Sequence, residues 1–509
     1  MPNAKMVTLD ELAQKSEELR SQGKVVVQCH GCFDLIHPGH IKHLEAAKRF
    51  GDILVVTITP DRFVNKGPGR PVFNENLRME SVAALEYVDF VALNKWDDAV
   101  ETIRLVKPNF YVKGKDYSDA SKDITGRIVE EEQAVKEVGG SIRFTDEITF
   151  SSSKLINEHF SIIPDDAKSY LEGLKEKYTS QDIIGFLKNL SKLNVLVIGE
   201  PILDEYIYCF AVGKPEKASI VSTKFLYSEL YAGGALAVSN HVSRFVKNVH
   251  LVGTIGHGEE NQRNDIIDRL RKNVKPTFIE RPDAPTIKKT RYIEKGSNNK
   301  MFEVTMINDQ PLSQDKEDEV ISSIQEKIEK EKIDMIIVCD FGHGLFTDRI
   351  IDLLAETPIF IAVNAQTNSM NFGFNFITRY RSVDYISIDE RELRLPFHDK
   401  YGDVRLLVRK LANKVQCNNI NITLGRDGSM LLVDDDLFFV PIFSDRVVDT
   451  IGAGDAVLSI TSMLVKENVP PETIPFIGNL VGALAVLIVG NKESINPIKL
   501  FKFIEYVMK

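Results

Sequence analysis

The sequence predicts an α/β chain of two doubly wound parallel-sheet domains, the second carrying a small β lid. Three observations lead there. Strand-like aliphatic runs alternate with helical patterns from Val25 to about Phe160 and again from Val195 to the C-terminus. Such alternation builds parallel sheets covered by helices. The stretch between, 161–193, is polar and helix-rich and separates the two blocks. Two segments, Ala218–Leu226 and Thr286–Val304, alternate polar and apolar residues at period two, the pattern of strands outside a buried parallel sheet.

Taken in order, Thr8 and Glu11 form a capping-box pattern, and Leu9, Leu12 and Leu19 mark an opening helix to about Gly23. Strands are expected at Val25–Gln28, Ile53–Ile58, Phe90–Leu93, Phe110–Val112 and Ile142–Phe144. Helical patterns lie between them, with Ile41, Leu44 and Ala47 before Gly51, then Glu75–Leu85, Ala99–Val106 and Asp123–Val138. In the second block, strand-like runs fall at Val195–Ile198, His250–Val252, Met335–Val338, Ile359–Ala362, Tyr385–Ile388 and Ile420–Leu424. The expected boundaries are a first domain over 1–160, a helical linker over 161–193 and a second domain over 194–509.

Composition narrows the function. With 63 basic against 73 acidic residues, the net charge is −10, which argues against a nucleic-acid-binding protein. Five cysteines at irregular spacing set up no disulfide framework. The start, MPNAKMVTLDELAQ, has no apolar signal core. The longest apolar run, Leu480–Val489, falls short of the ~20 residues a membrane helix needs. A soluble cytoplasmic protein without nucleic-acid or membrane partners is the expectation.

Two constellations carry chemistry. In the first, Gly31, Phe33, Asp34, His37, Gly39 and His40 stand at the spacing GxFDxxHxGH between a strand and a helix. A helix start offers unpaired N–H groups and a positive dipole end, a ready site for a phosphate chain. Glycines admit the phosphates, and the histidines can donate to oxygens that gain charge as pyrophosphate leaves. Satisfied structural histidines are the bland alternative. Cys29 and Cys32 form a CxxC, but no second ligand pair accompanies it. His30 and His43 have no motif role.

In the second, Asp449-Thr450-Ile451-Gly452-Ala453-Gly454-Asp455 precedes an apolar helical run. Gly452, Ala453 and Gly454 would present N–H groups as an anion hole, and Asp455 would accept the proton of an attacking hydroxyl. A glycine turn with a capping Asp is the bland alternative here.

The first half, roughly Val25 to Asn157, resembles the cytidylyltransferase-like nucleotidyltransferase family, with its Rossmann-like fold, through His37-Pro38-Gly39-His40. HPGHIKHLEAAKRFGD is close to glycerol-phosphate cytidylyltransferases and to the adenylyltransferase domain of bacterial heptose-nucleotide enzymes. That resemblance implies a phosphate-binding lysine at Lys48 and cations for the triphosphate or acceptor phosphate at Lys66, Arg70 and Arg78. It matches the family's VKGxDY signature to a segment holding Lys113 and Asp116, and its second phosphate motif to Ser151, Ser152 and Ser153. The second half, roughly Asn194 to Pro497, resembles the ribokinase/phosphofructokinase-B carbohydrate kinases. The resemblance implies sugar binding by Asp204, Gly233 and Gly234. It implies ATP binding by Thr423, Gly425, Gly428 and Asn479, and a magnesium link at Glu392. Four positions depart from it: Glu200, Ala237, Asn364 and Asp389 replace an Asp, an Asn, part of a DPK and an Asn.

Together the halves resemble bifunctional heptose-phosphate kinase/heptose-1-phosphate adenylyltransferases in reversed domain order. The expectation is therefore a two-domain enzyme of nucleotide-activated sugar synthesis. It would use sugar phosphate and nucleoside triphosphate substrates: ATP for the kinase, ATP or CTP for the transferase, and Mg²⁺ in both. Relatives pair subunits near the lid, which implies a homodimer. Two alternatives stay open: a cytidylyltransferase for glycerol phosphate or another polyol phosphate, and a transferase whose kinase-like half senses nucleotide or dimerises without catalysis.

Overall fold

The computed structural model describes residues 4–65, 67–115, 127–145, 164–214 and 220–509. These form two compact units, one from residues up to 145 together with Phe501–Lys509, the other from Pro164–Leu500.

In the first unit, β1 (Val26–Gly31), β2 (Ile53–Ile58), β3 (Phe90–Leu93), β4 (Phe110–Gly114) and β5 (Ser141–Thr145) form one sheet in the order β3-β2-β1-β4-β5. Every pairing is parallel. Helices α1 (Leu9–Ser21), α2 (Pro38–Lys48), α3 (Glu75–Ala83), α4 (Val100–Val106) and α5 (Arg127–Glu137) cover it. Successive residues of a strand face opposite sides. Val27 and Cys29 accordingly pack with Leu44, Leu54 and Val56, and Val26 packs with Leu9, Leu12 and Val106 on the other side. The strand order reverses beside β1. The loop leaving its carboxyl end, which carries the GxFD residues, therefore sits where doubly wound sheets hold ligands.

The second unit has a nine-stranded sheet. Its strands are β6 (Asn194–Gly199), β9 (Asn248–Gly256), β10 (Val274–Arg281), β13 (Met335–Asp340), β14 (Phe360–Ala365), β15 (Tyr385–Asp389), β16 (Asn419–Thr423), β17 (Ser429–Val433) and β18 (Asp436–Val440). Their order is β10-β9-β6-β13-β14-β15-β16-β17-β18. β10 through β16 pair in parallel, while β16–β17 and β17–β18 pair antiparallel. The doubly wound parallel sheet expected here thus carries an antiparallel edge. The turn between Thr423 and Ser429 is too short for the crossover that a parallel neighbour requires. Leu196, Ile198, Ile336, Val338, Ile361 and Val363 are buried in one core with Ile350, Leu354, Leu407 and Leu411 of the covering helices.

A separate four-stranded sheet has the order β12-β11-β7-β8, with β7 (Pro201–Gly213), β8 (Ser222–Gly234), β11 (Ile287–Glu294) and β12 (Asn299–Met306). Ser222–Leu226 of the first period-two segment falls in β8, and the second segment supplies β11 and most of β12; Ala218 lies outside the described residues. The strand Pro201–Gly213 was not expected, because its opening reads as a sugar-binding motif rather than as a strand of a lid.

The expected linker does not stand apart. Asp165–Lys177 and Ser180–Asn189 are helices of the second unit, and Tyr170 donates to the Glu472 carbonyl at 3.0 Å. Conversely, Phe501–Lys509 belongs to the first unit, where the Arg70 guanidinium lies 5.2 Å from the Tyr506 ring centroid. Among the described residues, no helix is long and apolar enough to cross a membrane.

Candidate active sites

In the second unit, one cavity of about 870 Å³ gathers most of the residues expected there. Asp204, Gly234, Glu392, Thr423, Gly425, Gly428, Gly452, Ala453, Gly454, Asp455 and Asn479 all line it. The helix Ala453–Lys466 begins at this wall, with Gly452 as its N-cap at φ +82°. A Cβ on Gly452 would come within 2.0 Å of Asn491 Oδ1, so only glycine permits this approach. The first turn of a helix leaves N–H groups without intrahelical partners. Those of Gly454 and Asp455 stand in that turn, and nothing lies within 4 Å of the side-chain position of Gly454.

Asp455 is buried, and burial followed by the charge of Asp204 pushes its carboxyl up to about 7, against a smaller pull from Lys289. A carboxylate with that value takes and returns a proton near neutral pH. Asp449, the first residue of the motif, is spent on the loop itself. Its Oδ1 accepts from Lys300 Nζ at 2.6 Å and from the Ile451 amide at 3.1 Å. Its Oδ2 accepts from the Tyr206 hydroxyl at 3.2 Å and the Gly490 amide at 3.0 Å.

The lid strand β11 supplies two cations that the motifs do not contain. Lys289 and Arg291 stand at alternate positions and both line the cavity. Arg291 is paired with Asp204 Oδ1, and its Nε lies 2.8 Å from Glu303. Lys289 is buried, with its ammonium held below the usual lysine range by desolvation. The period-two pattern of Thr286–Val304 was visible in the sequence. Cations at alternate positions of such a strand share one face, and that signal could have found them.

The remaining calls have distinct placements. Gly233 does not line the cavity; it closes on Asp204, whose Oδ2 would lie 2.2 Å from an added Cβ. Asn479 donates to the Val440 and Pro441 carbonyls at 2.9 and 3.1 Å. Asn364 donates to the Ser387 carbonyl at 2.7 Å. Glu200 is an anchor, accepting from the Phe341 and His343 amides at 3.0 and 3.1 Å. Burial and Asp340 push its carboxyl up to about 8. Ala237 lines a different cavity.

Glu392 accepts from the Thr367 amide at 2.8 Å and the Asp389 amide at 3.0 Å. Burial, then the charge of Asp389, pushes it up to about 8. A divalent cation would relieve that strain, and oxygen donors suit Mg²⁺. Among the described residues no group of three or more His, Cys, Asp or Glu is arranged for a metal. The carboxylate oxygens of Glu392 and Asp389 are donors of the kind Mg²⁺ takes, with phosphate oxygens and water completing its shell.

In the first unit, His37 caps α2, with Nδ1 accepting from the Gly39 amide at 3.1 Å. That bond assigns the ring hydrogen of a neutral His37 to Nε2, which can then donate to a phosphate oxygen. The His40 ring stacks on His37 at 3.9 Å between centroids, and Phe33 lies 5.1 Å from His40 on its other contact. Phe33 takes φ +48°, and Gly31 leaves room for its ring. Asp34 does not face this pair. Its Oδ1 accepts from the Val72 and Phe73 amides at 2.8 and 3.1 Å, and its Oδ2 from Arg70 Nε at 2.6 Å.

Three cations expected at phosphates are anchors instead. Arg70 is closed from solvent against Asp34. Arg78 is fully buried and donates to the Phe73, Cys32 and Thr59 carbonyls and, at 2.6 Å, to Asp61. Lys48 binds Asp89 and the Asp52 carbonyl at the far end of α2, about 16 Å of helix rise from His37. Lys113 pairs with Glu131 at 2.8 Å. His30 bonds Thr57 and Thr59, and His43 bonds Thr145. Lys66, Asp116, Ser151, Ser152 and Ser153 lie outside the described residues.

The profile of the cytidylyltransferase-like family matches residues 29–158. That of the pfkB family carbohydrate kinases matches residues 193–498. Curated relatives named bifunctional protein HldE align with part of the chain. That of Aliarcobacter butzleri is 38% identical over 141 residues, covering 27% of this chain and 29% of the relative. That of Gluconobacter oxydans is 41% identical over 143 residues, covering 28% of each. The chain thus aligns with under a third of the length of these relatives. Among solved structures, a mutant of phosphofructokinase-2 from Escherichia coli superposes with a TM-score of 0.50 at 14% identity, covering 63% of this chain and 100% of the other. The same enzyme in complex with substrates and products gives 0.50 at 13%, covering 62% and 100%. At that identity the likeness is one of fold.

Proposed function

The chain belongs to the pfkB family of carbohydrate kinases and carries a cytidylyltransferase-like domain ahead of the kinase, and on that premise we propose that it is a bifunctional enzyme of nucleotide-activated sugar synthesis. The observation that carries the kinase half is one cavity in which Asp455, the first-turn amides of its helix and Lys289 converge.

At that cavity a sugar hydroxyl gives its proton to Asp455 as its oxygen forms the new bond to the γ-phosphorus of ATP. The bond from that phosphorus to ADP breaks, and no covalent enzyme intermediate is needed. The amides of Gly454 and Asp455 and the cation of Lys289 offset charge on the transferred group. Asp204, fixed by Arg291, orients the sugar. Mg²⁺, held from Glu392, would neutralise nucleotide phosphates.

At the other site, the oxygen of a sugar 1-phosphate attacks the α-phosphorus of a nucleoside triphosphate and pyrophosphate leaves. His37 and His40 donate to the oxygens that gain charge. The likeness of HPGHIKHLEAAKRFGD to the adenylyltransferase domain of heptose-nucleotide enzymes supports a heptose phosphate as the sugar and ATP as the nucleotide. A homodimer formed through the four-stranded sheet, working in the cytoplasm where nucleoside triphosphates are abundant, completes the reading.

The test is a screen of ATP, CTP and GTP against heptose 1-phosphate and glycerol 3-phosphate, with product masses measured. A nucleotide-heptose is expected. A nucleotide-glycerol product would replace heptose as the acceptor, and absence of any nucleotide transfer would overturn the transferase half.

A further inference from the structure

A second cavity of the kinase unit, of about 300 Å³, lies beside the helix Ala235–Val242 and the loop after Gly490. Ala237, the position where the resemblance implied an asparagine, faces this cavity rather than the kinase cavity. Its lining is basic, with Arg244, Arg269, Arg271 and Lys492 against a lone carboxylate, Glu493.

Two of those cations are compensated. Arg269 pairs with Asp265 at 3.0 Å, and Lys492 with Glu229 at 2.7 Å. The other two lack such a pairing, and the only carboxylate charge that bears on Arg244 is that of Glu493, beyond ion-pair distance. Arg244 bonds the Ser494 hydroxyl through Nε at 2.9 Å, but neither Arg244 nor Arg271 makes an ion pair among the described residues. Glu493 is drawn to Lys499 at 3.5 Å. The Nε of Arg271 is buried with no hydrogen-bond partner. Burial, then the charge of Arg271, holds the Arg244 guanidinium below the usual arginine range, against a smaller opposing pull from Glu493. Two guanidiniums that repel each other and leave a buried donor unmet are costly unless an anion joins them. His241 adds a neutral donor. Its Nδ1 accepts from the Ile495 amide at 3.0 Å, and burial pushes it down to about 4.

We propose that this cavity binds a small dianion of the phosphate class, clamped between the Arg244 and Arg271 guanidiniums. Planar guanidiniums match the geometry of a phosphate in a bidentate fork. The volume, at the low end for small-molecule sites, admits inorganic phosphate or the phosphate of a small ester. Asn491 lines this cavity and the kinase cavity alike, and its side-chain oxygen abuts Gly452. An anion here therefore bears on the loop that forms the anion hole, and this coupling rests on the kinase reading above.

The test titrates the full chain with inorganic phosphate, and separately with a hexose phosphate, at constant ionic strength. Binding is read by calorimetry and by the melting temperature. Arg271→Gln, Arg244→Gln, Lys289→Met and His40→Ala are compared with the native chain. A saturable phosphate site is expected that survives Lys289→Met and His40→Ala, and that weakens at least about tenfold in each arginine variant, the loss of a charge-assisted contact. Because the Arg271 side chain makes no hydrogen bond or ion pair among the described residues, phosphate-free Arg271→Gln should melt at or above the native temperature. Equal phosphate affinity in native and Arg271→Gln protein would overturn the site, as would loss of binding in Lys289→Met or His40→Ala instead. Tighter binding of the hexose phosphate names an ester as the occupant, and equal or weaker binding names free phosphate. The ATP KM of the kinase should shift with phosphate in the native chain and stay fixed in Arg271→Gln. A chain without kinase turnover would remove the kinase reading and the coupling, while the titration would still decide the site.

Discussion

Arg70 Nε donates to Asp34 Oδ2 at 2.6 Å, and both side chains are closed off from solvent. The pair ties the loop ending in Phe73 to the turn that delivers His37 and His40, because Asp34 also receives the amides of Val72 and Phe73. Removing one member of a buried pair strands the other charge, at a cost of ~3–5 kcal/mol. Asp34→Ala should therefore lower the unfolding free energy of the first unit by about that amount. Denaturant unfolding, followed alongside kinase turnover, checks this; the kinase rate should be retained. A change within experimental error would mean that Asp34 is not an anchor.

The transferase rate should depend on His40 and the kinase rate on Asp455, each without the other. Loss of one donor to a developing oxyanion costs about 10²–10³ in kcat. His40→Ala should reduce pyrophosphate release by that factor and leave sugar phosphorylation intact. Asp455→Asn should do the reverse. Parallel assays on both variants decide it, and a variant that spares both activities removes its site.

With Asp455 as the proposed base, the kinase should be pH-dependent, with a sign that can be worked out. The base must be ionised, so kcat/KM should climb about tenfold per pH unit below about 7 and level off above it. Stability runs the other way. The folded chain keeps a proton up to about 7 that the unfolded chain releases near 3.8, so stability falls as pH rises through that window. Asp455→Asn removes the ionisation, and should melt higher than the native chain at pH 8 while being inactive as a kinase. A native profile flat between pH 6 and 8 would count against Asp455 as the base.

Lys289 offsets the anionic set of Asp204, Glu303 and Asp455. Lys289→Met should raise the KM for an anionic sugar phosphate by about tenfold or more, the worth of a charge-assisted contact. It should also move the kinase pH midpoint above that of the native chain, because Lys289 lowers the Asp455 value. A purely structural lysine would leave that midpoint where it is.

The four-stranded sheet carries exposed Phe210, Phe225 and Phe302, at 55%, 61% and 53% of full exposure. Large exposed apolar patches mark interaction surfaces. Light scattering should give the native chain twice the mass of Phe225→Lys. A native mass of one chain would reject the homodimer.

Much of the fold was legible in the sequence, as were the motifs from which both centres are proposed, and the failures share a cause. GxFDxxHxGH and DTIGAGD are contiguous. The strand, turn and helix start they encode follow from local spacing, glycine freedom and the unpaired amides of a first turn. The mixed edge at β16–β17 was hidden because a short turn was read as part of a nucleotide motif rather than as a hairpin.

The sequence by itself determined the two-domain α/β plan and the residue types at each centre, since those depend on periodicity and on neighbours a few positions away. Only the tertiary structure decided what the charged side chains do. It turned Lys48, Arg70 and Arg78 into anchors, brought Lys289 and Arg291 from the lid to the cavity, and set Phe501–Lys509 in the first unit. Arg291 and Asp204 stand 87 residues apart in the chain. A long charged side chain is free to satisfy whichever partner packing brings near, and that partner is fixed by burial and sheet order rather than by the residues beside it.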